Sequence, residues 1–163
     1  MQLLLITTSP NAVRQMLENR DGISLTVIDC TDYARGDTKA MRDSLQQAVE
    51  QCLQQFIPDL LITYRCPFVI PCHLFSKARM GAYNIHPSLL PKYRGLNPWK
   101  AMFRNGEREG GVTIHRLANE ADAGETIVQK AFEIESSDTI ETARQKADTL
   151  AAEMLSQLLV RFL

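Results

Sequence analysis

Asn84 and His86 stand one residue apart, so any extended segment holding them presents an amide and an imidazole on the same face. Such a pair can donate hydrogen bonds and pass protons, provided the surrounding chain is stiff enough to aim it. The stretch Asn84-Ile-His-Pro-Ser-Leu-Leu-Pro-Lys-Tyr-Arg-Gly95 has that stiffness. Pro87 bars helix at His86, and Pro87 and Pro91 hold a loop that ends at Gly95. The small apolar run Gly81-Ala-Tyr83 leads into it. An apolar strand delivering Asn and His into a rigid loop is how an α/β protein presents chemistry at the carboxyl end of its sheet. The alternative is a proline-stiffened surface loop with a solvated histidine, and an isolated Asn-x-His does not decide between them.

A second signal lies downstream, in Gly111-Val-Thr-Ile-His115 followed by Ala121-Asp-Ala-Gly124. Taken alone, an Asp-x-Gly turn between strands is ordinary, and His115 reads equally well as a core histidine. Ser88 is placed either to cap the loop backbone or to touch a substrate.

The elements that must position these residues follow from hydrophobic patterning. Gln2 to Ile6 is a continuous apolar run, the mark of a strand buried on both faces. Thr7-Thr-Ser-Pro10 ends it, and Pro10 suits the start of a helix through about Glu18. Ile23 to Ile28 predicts a second strand after the Asp21-Gly22 turn. Lys39 to Phe56 carries Met41, Leu45, Ala48, Cys52, Leu53 and Phe56 at helical spacing. Leu60 to Ile62 and Ala82 to Ile85 predict buried strands three and four, with an apolar loop from Pro67 to Pro71 and a short helix to Arg79 between them. Pro98 opens a helix through about Arg104, closed by Asn105-Gly106. Val112 to Leu117 and Thr126 to Ile134 predict two more strands. Asp138-Thr-Ile-Glu141 reads as a capping box with Asp138 as the cap, starting a final helix whose apolar face includes Ile140, Ala143, Ala147, Leu150, Met154, Leu155 and Leu158. Alternating strands and helices in the first half imply an α/β fold. The expected form is a doubly wound, mostly parallel, twisted Rossmann-like sheet with an antiparallel extension near the C-terminus.

Bulk properties narrow the function classes. With 163 residues, 45% hydrophobic and 23% charged, the chain reads as one domain, 1–163, with a single core. A formal net charge of -1 gives no electrostatic reason to expect nucleic acid or membrane as the main partner. No apolar run approaches a membrane span, and Met1 leads into a core strand rather than a secretory signal, so a cytoplasmic location is expected. Cys30, Cys52, Cys66 and Cys72 form no Cys-x-x-Cys pair, so reduced thiols and no metal are expected.

From Asn84 to Gly124 the sequence resembles the formyltransferase superfamily that uses 10-formyltetrahydrofolate. The resemblance rests on the Asn-x-His-Pro-Ser-Leu-Leu-Pro-x-Tyr-Arg-Gly loop, Asn105-Gly-Glu107, the Gly-Val-Thr-Ile-His strand and the Asp-x-Gly loop, in that order. It implies a catalytic trio of Asn84, His86 and Asp122. In that chemistry an amine attacks the formyl carbon, and protonated His86 with the Asn84 amide steadies the oxygen that becomes negative. Asp122 is expected to raise the His86 pKa and help carry the proton from the amine to the departing folate nitrogen. The resemblance further implies a pterin slot formed by Phe68, Val69 and Ile70, with Ala121, Ala123 and Gly124 opposite. Ser88, Arg94, Gly95 and His115 would then border the acceptor.

The sequence departs from family patterns in ways that bear on the acceptor. The turn Thr7-Thr-Ser-Pro-Asn11 lacks the glycines with which relatives that formylate glycinamide ribonucleotide hold its phosphate. The near-neutral sequence runs only to its last helix, whereas formyltransferases of methionyl-tRNA carry a further basic domain. His115-Arg-Leu117 and Ala121-Asp-Ala-Gly124 are similar to enzymes formylating amino sugars linked to nucleotides. The expected partner is therefore a small-molecule amine, with no nucleic acid and no membrane; a homodimer is compatible with the sequence. The competing readings are a formyltetrahydrofolate hydrolase and a non-catalytic folate-binding domain.

Overall fold

A computed structural model describes residues 1–8, 11, 17, 21–35 and 39–163. The helix expected from Pro10 to Glu18 falls largely outside those residues, as does the end of the turn before it. Strand β1 (Gln2–Thr7) has Leu3, Leu4, Leu5 and Ile6 fully buried, as a strand covered on both faces must. It pairs in parallel with β2 (Ser24–Asp29) on one side and β3 (Leu60–Tyr64) on the other. β4 (Gly81–His86) continues the parallel set beside β3. β5 (Glu109–Arg116) and β6 (Thr126–Glu133) then run antiparallel. The order is β2-β1-β3-β4-β5-β6, the mixed α/β sheet that the sequence pattern implies.

Alternation along β1 sorts the core into two layers. Leu4 and Ile6 pack with Leu45, Val49 and Leu53 of α1 (Lys39–Gln55) and Leu74 of α2 (Cys72–Phe75). Leu3 and Leu5 face the other way, toward Trp99 and Met102 of α3 (Pro98–Arg104) and Ala143, Ala147, Ala151 and Leu155 of α4 (Ile140–Leu159). Each fully buried leucine contributes roughly 1.5–3 kcal/mol, so helices on both faces anchor the strand ends that carry the site.

One expectation is corrected at the start of α4. The cap is Thr139, not Asp138: Thr139 Oγ1 accepts from the Thr142 N–H at 3.2 Å and the Thr139 N–H donates to Thr142 Oγ1 at 2.9 Å. Asp138 is already committed, accepting from Lys146 Nζ at 2.6 Å, Thr142 Oγ1 at 2.7 Å and the Glu135 N–H at 2.8 Å. Those bonds, Lys146 first, hold its carboxyl down at about 2.

Candidate active site

On the face shared with α1 and α2, the sheet turns from apolar to polar toward its carboxyl edge. Along β3 the sequence passes from Leu61 to Thr63, along β4 from Ala82 to Asn84 and His86, and along antiparallel β5 back from Leu117 to His115 and Thr113. Strand register aligns these changes. Thr63 pairs with Asn84 and Asn84 with His115, making a polar rung across three strands. His86 pairs with Thr113 in the next rung. Within the first rung, Thr63 Oγ1 donates to Asn84 Oδ1 at 2.8 Å, and Asn84 Nδ2 lies 3.0 Å from His115 Nε2.

Asp122 closes the cluster from the β5–β6 loop. Its Oδ1 accepts from Asn84 Nδ2 at 3.1 Å and lies 3.4 Å from His115 Nε2. Its Oδ2 lies 3.4 Å from His86 Nδ1 and accepts the Gly95 N–H at 2.8 Å. Two local features put the carboxylate there. Asp122 adopts a left-handed backbone with φ 53°, a conformation that aspartate tolerates better than most residues. Gly124 then lets the loop lie on the end of β5, since a Cβ on it would stand 1.8 Å from the Arg116 carbonyl oxygen. The loop after His86 is fastened beneath by Thr113, whose hydroxyl donates to the Ser88 carbonyl at 2.6 Å and accepts the Leu90 N–H at 3.1 Å. His86 Nε2 meets the Tyr93 carbonyl at 2.8 Å.

Burial decides the His86 charge. Desolvation lowers its pKa from the usual 6.5; the Asp122 charge and the Tyr93 carbonyl oppose this without overcoming it. The Asp122 charge does raise the imidazole, as expected, but a ring only 5% exposed loses more hydration than one carboxylate returns, so the net shift is downward and the expectation of a protonated His86 is corrected. For Asp122 the balance reverses. Burial raises its carboxyl, but His115, the His86 side chain and the Gly95 N–H outweigh burial and hold it below the usual 3.8.

The formyl transferase family matches residues 2–159. The chain belongs to that family. It is 37% identical over 107 residues to the methionyl-tRNA formyltransferase of Thermotoga maritima, covering 66% of this chain and 34% of that protein. Its match to the Staphylococcus aureus enzyme of the same name is 38% over 113 residues, covering 69% and 36%. The chain thus spans about a third of the length of these curated relatives. Among solved structures, phosphoribosylglycinamide formyltransferase from Brucella melitensis superposes with a TM-score of 0.72 at 17% identity, covering 99% of this chain and 94% of that one. A formyltetrahydrofolate deformylase from Pseudomonas syringae superposes with a TM-score of 0.74 at 20% identity, covering 97% and 59%. At such identities the likeness is one of fold.

Of the site residues that resemblance to the formyl transferase family implies, Asn84, His86, Asp122, Gly95 and His115 come together in one hydrogen-bonded cluster. Ser88 is fully buried, and its hydroxyl donates to the Lys92 carbonyl at 2.7 Å, so its side chain caps the loop and has no surface to offer a substrate. Ile70 is likewise core, packed with the α1 and α2 residues, whereas Val69 is exposed and Phe68 half-buried. Ala121, Ala123 and Arg94 are exposed, and Gly124 is half-buried against the end of β5. Thr63, Thr113 and the Tyr93 carbonyl join the site without having been expected from the sequence. Thr63 follows Leu60-Leu-Ile62 as the first polar residue of a buried strand, a usable signal, but only register shows that it faces Asn84. A cleft of about 410 Å³ lined by Phe75, Arg79, Met80, Gly81, Arg116 and Leu117 lies toward the start of β4 and contains none of the trio. Among the described residues no group of three or more His, Cys, Asp or Glu is placed to hold a metal ion, and no helix is long and apolar enough to cross a membrane.

Proposed function

We propose that this chain transfers a formyl group from 10-formyltetrahydrofolate to a small-molecule amine, with an amino sugar linked to a nucleotide as the acceptor class. The convergence of Asn84, His86 and Asp122 within 3.1–3.4 Å carries this reading. Mere binding of a pterin does not call for an amide and an imidazole that both contact one ionised carboxylate.

The donor set suits the task. When bound, the formyl donor supplies a carbonyl carbon open to attack by a neutral amine. Asn84 Nδ2 has two hydrogens, one toward His115 and one toward Asp122 at the longer distance of 3.1 Å. The second is the one a formyl oxygen would take over, placing a donor where negative charge builds. His86 keeps a proton on Nε2, because the Tyr93 carbonyl there can only accept. Its Nδ1 lone pair and the Asp122 carboxylate then face each other, and a proton released by the amine would be held between them until the folate nitrogen leaves. Exposed Val69 and half-buried Phe68 supply apolar surface of the kind a pterin ring covers.

The test is folate release from a formyl-folate analogue in the presence of nucleotide-linked amino sugars, glycinamide ribonucleotide or methionyl-tRNA, with His86→Ala as the control. Release that depends on an amino-sugar nucleotide and disappears in His86→Ala supports the reading. Equal release without any amine would instead make the protein a hydrolase, and release with methionyl-tRNA alone would transfer the acceptor assignment to tRNA.

A further inference from the structure

The Asn84 amide can lie in its plane in two ways, and its neighbours allow one. Turned over, its oxygen would sit 3.1 Å from the Asp122 carboxylate oxygen, two acceptors that only a proton on His115 Nε2, 3.4 Å from that carboxylate, could reconcile. The ionised carboxylate therefore requires Nδ2 on that side, and the Thr63 hydroxyl completes the arrangement by donating to Oδ1 at 2.8 Å. With Nδ2 so placed, the second polar atom in reach, 3.0 Å away, must accept. That atom is His115 Nε2. A second, independent contact agrees: His115 Nδ1 lies 2.8 Å from the Arg116 carbonyl oxygen, which can only accept, so Nδ1 carries a proton, and a neutral ring then leaves the Nε2 lone pair to the Asn84 amide. His115 is only 1% exposed, and the absent Cβ of Gly124, which would come within 3.4 Å of Nδ1, lets the loop cover it.

We infer that His115 is a positioning residue: as the neutral Nδ1–H tautomer it holds one hydrogen of the Asn84 amide and thereby aims the other at the reacting oxygen. The inference rests on the formyl-transfer reading for its kinetic consequence, but not for its geometry. Gln carries an acceptor oxygen about as far along its side chain as Nε2, whereas Leu has none.

The experiment has two arms. Nitrogen-15 NMR of histidine-labelled protein, assigned by the signal lost in His115→Gln, should show Nδ1 protonated and Nε2 bare near neutral pH. The Asn84 side-chain amide should exchange slowly in wild type and His115→Gln and fast in His115→Leu. A proton on Nε2, or unchanged exchange in His115→Leu, overturns the inference whether or not the protein proves to transfer formyl groups. In the kinetic arm, His115→Leu should lower kcat roughly 10- to 100-fold with KM for the formyl donor little changed, less than the loss typical of deleting such a donor outright. His115→Gln should recover most of that rate. Added to Asn84→Ala, His115→Leu should cost nothing further, as expected of residues acting as a unit. An undiminished effect in that background also overturns the inference. Full activity in Asn84→Ala alone would count against the formyl-transfer site while leaving the tautomer result to stand.

Discussion

His86 Nδ1 and Asp122 Oδ2 face each other at 3.4 Å in a setting where burial, not the carboxylate, sets the charge of the imidazole. The pair is therefore a neutral base beside an anion, with room for one more proton. On the formyl-transfer reading, a ring held permanently as a cation could not take up a proton from an attacking amine, so the neutral resting state favours proton transfer over fixed charge stabilisation.

Replacing Asp122 with Asn removes the main influence that opposes burial at His86. The His86 pKa should fall further below 6.5, because desolvation is left with the Tyr93 carbonyl alone against it. NMR titration of the imidazole reads this directly. On the formyl-transfer reading, the rate should drop by roughly 100-fold or more, the usual scale for losing a positioned acid–base partner. A His86 pKa that rises in this variant would refute the balance of burial over charge.

Stability should show the same sign. Since the fold disfavours protonated His86, the unfolded chain binds a proton more readily than the native one. Above pH 6.5 neither does, and the contribution is whole. As pH falls from 6.5 toward the lowered native value, the unfolded state gains the proton first and stability declines; the decline ends once native His86 titrates. Asp122 adds a separate loss below 3.8, again ending at its lowered native pKa. Urea midpoints measured from pH 7.5 to 4.5 should fall in wild type and flatten in His86→Gln.

The cap of α4 gives a local check. Thr139→Ala removes the acceptor for the Thr142 N–H and should cost about 1 kcal/mol, within the usual range for such caps. Thr139→Ser keeps the hydroxyl and should restore the loss. Denaturation of the two variants side by side separates a cap at 139 from one at 138, since an Asp138 cap would leave Thr139→Ala nearly neutral.

The strands are legible in the sequence because a continuous apolar run such as Leu3 to Ile6 has few other ways to be buried, and the family resemblance places Asn84, His86 and Asp122 along the chain. Contacts set by register are not legible. Nothing in the sequence states that Thr63 lies beside Asn84 or that His115 lies on its other side, because those pairings depend on how far β3 and β5 slide along β4. The His86 charge escapes the sequence for a related reason: a neighbouring carboxylate can be inferred from a motif, but the loss of water around the ring depends on how the loop through Tyr93 closes over it. The cap at 139 is hidden because the sequence does not reveal that Lys146, eight residues on, claims Asp138.

Gly124 joins the fold to the chemistry, and its replacement is the sharpest structural test. An added Cβ would stand 1.8 Å from the Arg116 carbonyl oxygen and 2.8 Å from its carbon, both backbone atoms of β5 that no rotamer change can move. Gly124→Ala must therefore lift the β5–β6 loop, at a cost of roughly 1–3 kcal/mol for overpacking. Lifting the loop draws Asp122 away from Asn84, His86 and the Gly95 N–H together. Activity should consequently fall further than the stability change alone explains, with the protein still folded by circular dichroism. Gly95 provides the contrast: with φ 88° and no atom within 4 Å of where a Cβ would stand, Gly95→Ala is disfavoured by backbone conformation but meets no wall. It should cost about 1–2 kcal/mol, the penalty for a left-handed conformation in an L-residue. If Gly124→Ala retained full activity, Asp122 would not need its present position for catalysis.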